Sequence, residues 1–394
     1  MSQKIVEKKR ILITGSTFPR WEGDTEPRFI LDYAKTLEDY YEVHALVPMA
    51  PGAKEEELLE GVIVHRYHYF PIHRMETLCY PGAITSRIRE KKARLLLVPF
   101  LLAGMRKALK NYSKKVDIIH AHWLIPQGIV QSQLKDVPYI VTGHGGDVTS
   151  LNSWPIKRMK RKTLQNAKYI TAVSKELSEY IQDIYPNSKT SVIPMGCDTV
   201  LFNESKRVHY YWGQGNKKAV LFVGRLAEKK GVTYLMSAMK CVENACLYIV
   251  GKGDLEGELR KQAKELGEKV VFLGAKTHEE LPEIYASADI LVVPSVTSKD
   301  GDKEGCPLVV IEAMASGLPV VASRTGGIAD IIEHEKNGLL CEEKDVEGLA
   351  VAINRVMTDD ELRKIMVING KITAQKNSYE NVGKRYCEII RNFV

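Results

Sequence analysis

Short apolar runs recur along the whole chain, each followed by a stretch of helical periodicity. In the first half they cover 11–15, 41–47, 62–67, 116–120, 139–142, 169–173 and 190–194; in the second, 219–223, 245–250, 270–273, 290–294, 319–322 and 338–341. Runs this short and this apolar read as strands buried on both faces. Strands that alternate with helices need crossover connections, so the sheets are parallel and the fold class is α/β. At 394 residues the chain is long for one core. The rhythm pauses over 202–218, a polar and aromatic stretch with Gly213 and Gly215 that reads as a linker. Two doubly wound, Rossmann-like domains are therefore expected, 1–205 and 206–375, with 376–394 as a last helix. The loop 16–28, rich in Gly, Pro and charge, is expected to be mobile, and 29–37 to form the first helix.

In such sheets ligands bind outside the carboxyl ends of the strands. The run 290–294 leads into Glu304-Gly305-Cys306-Pro307-Leu308-Val309-Val310-Ile311-Glu312. Glu304 falls in the loop, while Glu312 opens a helical stretch about one turn deeper. Gly305 and Pro307 leave little side chain in the way, so amides near Cys306 and Leu308 can reach phosphate or sugar. Acids also gather at helix N-termini for the dipole alone. The run 219–223 ends in Gly224-Arg225, and Lys230-Gly231 follows. A guanidinium fork and a mobile ammonium beside glycines suit a diphosphate, with plain surface solvation as the ordinary alternative. Acids for hydroxyls and cations for a diphosphate, on one domain, describe a nucleotide-sugar pocket.

These two elements, together with Asp117-Ile118-Ile119-His120-Ala121-His122, resemble the retaining GT-B glycosyltransferases of family four. The resemblance runs from Ile11-Leu12-Ile13-Thr14-Gly15 to the last helix. It implies two facing Rossmann-like domains with an interdomain cleft: 1–205 on the acceptor side, 206–375 holding the donor, and 376–394 crossing back. It implies transfer of a hexose from a UDP- or GDP-linked donor to a sugar or lipid-linked acceptor hydroxyl, as in cell-envelope or polysaccharide synthesis. Configuration would be retained, with no metal and no other cofactor. Arg225 and Lys230 would neutralise the leaving diphosphate, Glu304 would hold sugar hydroxyls and Glu312 the ribose. Gly224, Gly274, Gly305, Cys306, Pro307 and Leu308 would line the donor. His144, in Thr142-Gly143-His144-Gly145-Gly146-Asp147, matches the family's histidine beside the transferring sugar; from its own surroundings it reads equally as a capping or core residue. Gly15 and Ser16 would approach the phosphates, although the family's Gly-Gly pair is here split between Gly15 and Gly23. The departing phosphate oxygen can take the acceptor proton, so no base is named. A nucleotide-sugar epimerase, or a peripheral membrane binding protein with a vestigial pocket, is the alternative.

Seven cysteines without a Cys-x-x-Cys pair argue for a reducing, cytoplasmic setting. The charged first ten residues do not read as a signal peptide, and the apolar run 95–105 is too short to span a bilayer. Charge is lopsided: 1–205 holds 29 basic and 22 acidic residues, leaving 27 of each in the remainder. Residues 84–115 carry ten basic side chains against Glu90 alone. Flanking 95–105, they suit an anionic membrane surface, such as the inner face of a membrane, or else an ordinary solvated helix. The cluster 157–162 adds to them. Nucleic acid is not expected, since no stacking aromatics are interleaved with the charge.

Five further features are set aside or left open. Gly251-Lys252-Gly253-Asp254-Leu255-Glu256-Gly257 is one residue too long for a dinucleotide fingerprint and reads as a tight turn near the donor. Asp300-Gly301-Asp302 lies in a charged loop rather than at a strand end, so no metal is expected there. His120 and His122 are expected to point to opposite faces of their strand, one packed and one on the cleft, and hence not to chelate. Asp147 either caps a helix or binds acceptor, and Cys306 is a small side chain tolerated by the ligand rather than a reactive thiol.

Overall fold

The computed structural model describes residues 8–186, 188–209, 211–213, 217–299, 301 and 303–394. Gly215, Asp300 and Asp302 lie outside these. The chain divides into two compact units. Unit 1 comprises 1–173, 177–193 and 382–394; unit 2 comprises 174–176 and 194–381. The first boundary thus falls ahead of 205/206. The cause is packing: Phe202 is buried in unit 2, its ring meeting Tyr285 edge-on at 5.7 Å, and Trp212 packs on Tyr248 at 4.1 Å. Phe202 and Trp212, in the stretch read as a linker, pack into the core of unit 2.

Unit 1 is built on eight strands: β1 (Arg10–Thr14), β2 (Glu42–Pro48), β3 (Glu56–Leu59), β4 (Val62–Tyr67), β5 (Ile118–His122), β6 (Tyr139–Gly143), β7 (Tyr169–Ala172) and β8 (Thr190–Val192). Their order is β3-β4-β2-β1-β5-β6-β7-β8. Only β3 runs antiparallel to its neighbour. It was not expected, because Glu56-Glu57 breaks the apolar pattern, which an edge strand tolerates. Unit 2 holds β9 (Lys218–Val223), β10 (Ala245–Val250), β11 (Val270–Gly274), β12 (Ile290–Val293), β13 (Val320–Ser323) and β14 (Leu339–Cys341), in the order β11-β10-β9-β12-β13-β14, all parallel. Strand alternation sorts the second core. Val220 and Phe222 join Leu247, Ile249 and Val292 on one face, while Ala219, Leu221 and Val223 join Val250, Leu291 and Val293 on the other. Burial on both faces is why these strands read as unbroken apolar runs.

The strand order turns back on itself between β1 and β5 in unit 1 and between β9 and β12 in unit 2. These are the topological switch points, where strand ends leave room for a ligand.

Several expectations are corrected. The loop 16–28 is tied down. Asp24 accepts from Arg20 N at 2.9 Å and from Arg20 Nε and Nη2 at 2.8 and 2.7 Å. Tyr80 donates to the carbonyl of the buried Phe18 at 2.8 Å, and Arg28 forks onto Glu60. His120 and His122 share a face, their rings stacked with centroids 4.3 Å apart, because residues two apart on a strand project the same way. Glu312 does not open its helix, which runs Leu308–Ala315 from a Pro307 cap. Finally, Lys160 in the basic 157–162 cluster is fully buried. Its ammonium donates to Val148 O at 2.8 Å and to Ser150 O, and burial pushes its pKa down to about 8, against the pull of Asp147.

Candidate functional site

In unit 2 the loops at the carboxyl ends of β9 and β12 are locked backbone to backbone. Val296 N donates to Lys229 O at 2.8 Å. Gly231, with φ at +63°, lies so near that a Cβ there would sit 1.8 Å from Pro294 O. The loop after β13 closes on the acidic segment in the same way: Gly327 N donates to Glu304 O at 3.0 Å, and a Cβ on Gly327 would meet Gly305 O at 1.8 Å. Only glycine allows such approach. The two glycines of the Gly326-Gly327 pair, which follow a strand as Gly224 does, carried the same signal and were overlooked.

That scaffold brings Lys230 to Glu304, Nζ to Oε1 at 3.1 Å, with side chains only 15% and 7% exposed. Burial raises the Glu304 carboxyl, but the charges of Lys230 and Lys229 and the contact with Lys230 outweigh it, so its pKa is lowered on balance. It stays ionised at neutral pH. Arg225 turns the other way and pairs with Asp254 at 2.9 Å on the exposed surface. Each cation is thus already paired with an acid, Lys230 with Glu304 and Arg225 with Asp254. Gly224 N donates to Val250 O at 3.0 Å and Gly251 N to Gly274 O at 2.8 Å, which joins the ends of β9, β10 and β11. The turn 251–257 thus packs beside Gly224 and Gly274.

Glu312 lies one turn into its helix. Tyr285, fully buried, donates to its Oε2 at 2.8 Å and aims the carboxylate. Tyr285 was not singled out, since in sequence it is one more apolar residue of the helix Leu281–Ser287. Burial pushes the Cys306 thiol up to about 12, so it is a neutral small side chain and no nucleophile. Gly224, Lys230, Glu304, Gly305, Cys306 and Pro307 lie in the strand-end loops of one sheet, Gly274 ends its strand β11, and Leu308 and Glu312 lie on the helix that follows the acidic loop.

In unit 1, Gly15 and Ser16 follow β1, and His144 follows β6. With the Gln127 amide oriented to fit its neighbours, its oxygen accepts from Ser16 N at 2.9 Å, so that amide points inward. His122 Nδ1 and His144 Nε2 are 3.0 Å apart, and His122 Nε2 is buried with no partner. An orphaned N–H is rarer than an unused acceptor, so we place the shared proton on His122 Nδ1. His144 then carries its own hydrogen on Nδ1. Burial pushes His120 and His144 down to about 3 and His122 well below its usual value; all three are neutral at pH 7. Asp147 accepts from Leu124 N, His144 N and Gly145 N at 2.8, 3.1 and 2.8 Å. It is a loop cap. Trp123, at φ +76°, packs on His144 at 5.1 Å; a left-handed tryptophan costs energy and marks a constrained site. Nothing in the sequence signals that conformation.

The described residues include no helix long and apolar enough to cross a membrane. Comparison with known proteins gives two family matches, Glycosyltransferase Family 4 over residues 27–201 and Glycosyl transferases group 1 over 212–373. An uncharacterised glycosyltransferase of Methanocaldococcus jannaschii is 34% identical over 302 residues, covering 70% of this chain and 75% of that protein. A GDP-mannose-dependent phosphatidylinositol monomannoside mannosyltransferase of Mycolicibacterium smegmatis is 30% identical over 64% of this chain and 69% of its own length. Among solved structures, sucrose-phosphate synthase of Thermosynechococcus elongatus aligns with a TM-score of 0.78 at 23% identity, covering 98% of this chain and 99% of the other.

Proposed function

The chain belongs to the glycosyl transferases group 1, with the GT-B fold, and on that premise we propose that it moves a hexose from a nucleoside-diphosphate sugar to an acceptor hydroxyl, with retention and without a metal. The observation that carries the donor reading is the Lys230–Glu304 pair at the β9/β12 switch point. A cation and a carboxylate fixed side by side in a half-dry loop cluster can treat the two ends of one donor differently. Lys230, with Arg225 recruited from Asp254, takes the growing negative charge on the leaving diphosphate. Glu304, held ionised, accepts from sugar hydroxyls. Glu312, aimed by Tyr285, accepts from the ribose pair.

A second observation bears on the acceptor. On unit 1, Leu95, Leu96 and Phe100 are exposed among the basic residues of 84–115. Apolar tips ringed by cations suit an anionic lipid surface, which supports a lipid-linked acceptor.

A panel of UDP- and GDP-sugars tests the donor reading: one of them should raise the melting temperature and release its sugar slowly in the absence of acceptor. Conversion of the donor to an epimer, or indifference to the whole panel, refutes the reading.

A further inference from the structure

At the end of β4 stands a cluster that the transfer reaction does not use. His68, His73 and Glu76 each present a ligand atom, and these lie within 4.8 Å of one another. We propose that they form a binding site for a divalent transition cation of the zinc type.

The carboxylate is built in. Glu76 is buried, and its Oε1 is held by Tyr69 N at 2.5 Å and Phe70 N at 2.9 Å. That leaves Oε2 facing His68 Nδ1 at 2.7 Å. His73 lies over His68 with ring centroids 3.5 Å apart, so a third donor shares the same side. On the far edge of the His68 ring, Nε2 lies 3.4 Å from Glu55 Oε1. A carboxylate behind a ligating imidazole fixes its tautomer and leaves the opposite nitrogen's lone pair for the metal. A cation at this point takes the place of the hydrogen that now joins His68 Nδ1 to Glu76, and that hydrogen is relocated to Nε2, where it faces Glu55. Two imidazoles and one carboxylate are a borderline-soft set, which favours zinc, nickel or copper over magnesium or calcium. Three protein ligands leave a fourth position for water. Phe70, next to the anchored carboxylate, meets Phe100 edge-on at 4.8 Å, so a bound metal would brace the helix Val98–Tyr112 from below.

The proposal does not rest on the donor reading and is tested without turnover. Metal-stripped full-length protein is titrated calorimetrically with zinc sulfate, and again with magnesium chloride. One zinc per chain is expected, with magnesium silent. His73→Ala, a change at an exposed residue, should weaken the zinc affinity at least tenfold, and Glu55→Gln should weaken it less. His209→Ala, an exposed histidine elsewhere, should leave it unchanged. Cobalt in place of zinc should give visible d–d absorbance that His73→Ala abolishes. Equal affinity in His73→Ala and the parent protein, or zinc uptake only at several equivalent surface sites, overturns the proposal.

Discussion

At the scale of single residues, the Lys230–Glu304 pair does two things at once, and they are separable. Removing one partner of a buried pair strands the other and costs on the order of 3 kcal/mol. Lys230→Ala should therefore lower stability by about that amount in urea unfolding, besides weakening nucleoside-diphosphate affinity in calorimetry. Adding Glu304→Gln to Lys230→Met removes the stranded charge, so stability should return while the affinity does not. If affinity returns as well, Lys230 does not bind the diphosphate. The charged members of this cluster were legible because charge beside glycine at a strand end is rare enough to notice. Tyr285 and Trp123 were not, because their contributions lie in a hydroxyl direction and a backbone angle, which residue identity does not reveal.

At the scale of elements, the ends of β5 and β6 bury His120 and His122 and half-bury His144, along one connected seam. His120 is held by Tyr33 and Thr142 at 2.7 Å each. Each histidine has its folded-state pKa depressed by burial. The unfolded chain therefore binds protons near pH 6.5 that the folded chain refuses, His120 and His144 until about pH 3 and His122 until well below its usual range. Stability must rise with pH through that window and fall as acid is added. Between pH 7 and 5.5 three such groups cost about 4 kcal/mol in total. Replacing His122 by Phe should shrink this loss by about one third, read from urea midpoints at the two pH values. An unchanged pH slope would show that His122 is protonated in the fold. Element type was legible nearly throughout, because strands covered on both faces advertise themselves as apolar runs. What failed was edge and direction: β3 carries too much charge to look like a strand, and the i, i+2 histidines share a face.

At the scale of the whole molecule, the chain returns to unit 1 for its last residues. Val382, Tyr386, Cys387, Ile389 and Ile390 are all buried there, and Tyr386 meets Tyr33 edge-on at 4.8 Å. Tyr386→Ala should cost unit 1 roughly 3–5 kcal/mol. Of two calorimetric transitions, only one should move, and nucleoside-diphosphate affinity should stay within about twofold if the donor site belongs to unit 2 alone. The surface of unit 1 makes a separate claim. The whole net charge of +7 resides in 1–205, yet part of the basic run is internally spent. Arg87 and Arg94 both pair with Glu90, at 2.5 and 2.9 Å. Lys91, Lys92, Arg106, Lys107 and Lys110, by contrast, are exposed along with Leu95, Leu96 and Phe100. Each such cation near an anionic bilayer is worth on the order of 1 kcal/mol, and salt screens it within about 10 Å. The full-length protein should thus co-sediment with phosphatidylserine-containing vesicles at low salt, release as salt rises, and ignore neutral vesicles. Leu96→Glu, which places a charge at the most exposed apolar tip without touching the core, should reduce the bound fraction several-fold at fixed salt. Binding that survives both high salt and Leu96→Glu would mean another surface is responsible, and equal partition to neutral vesicles would remove the electrostatic basis altogether.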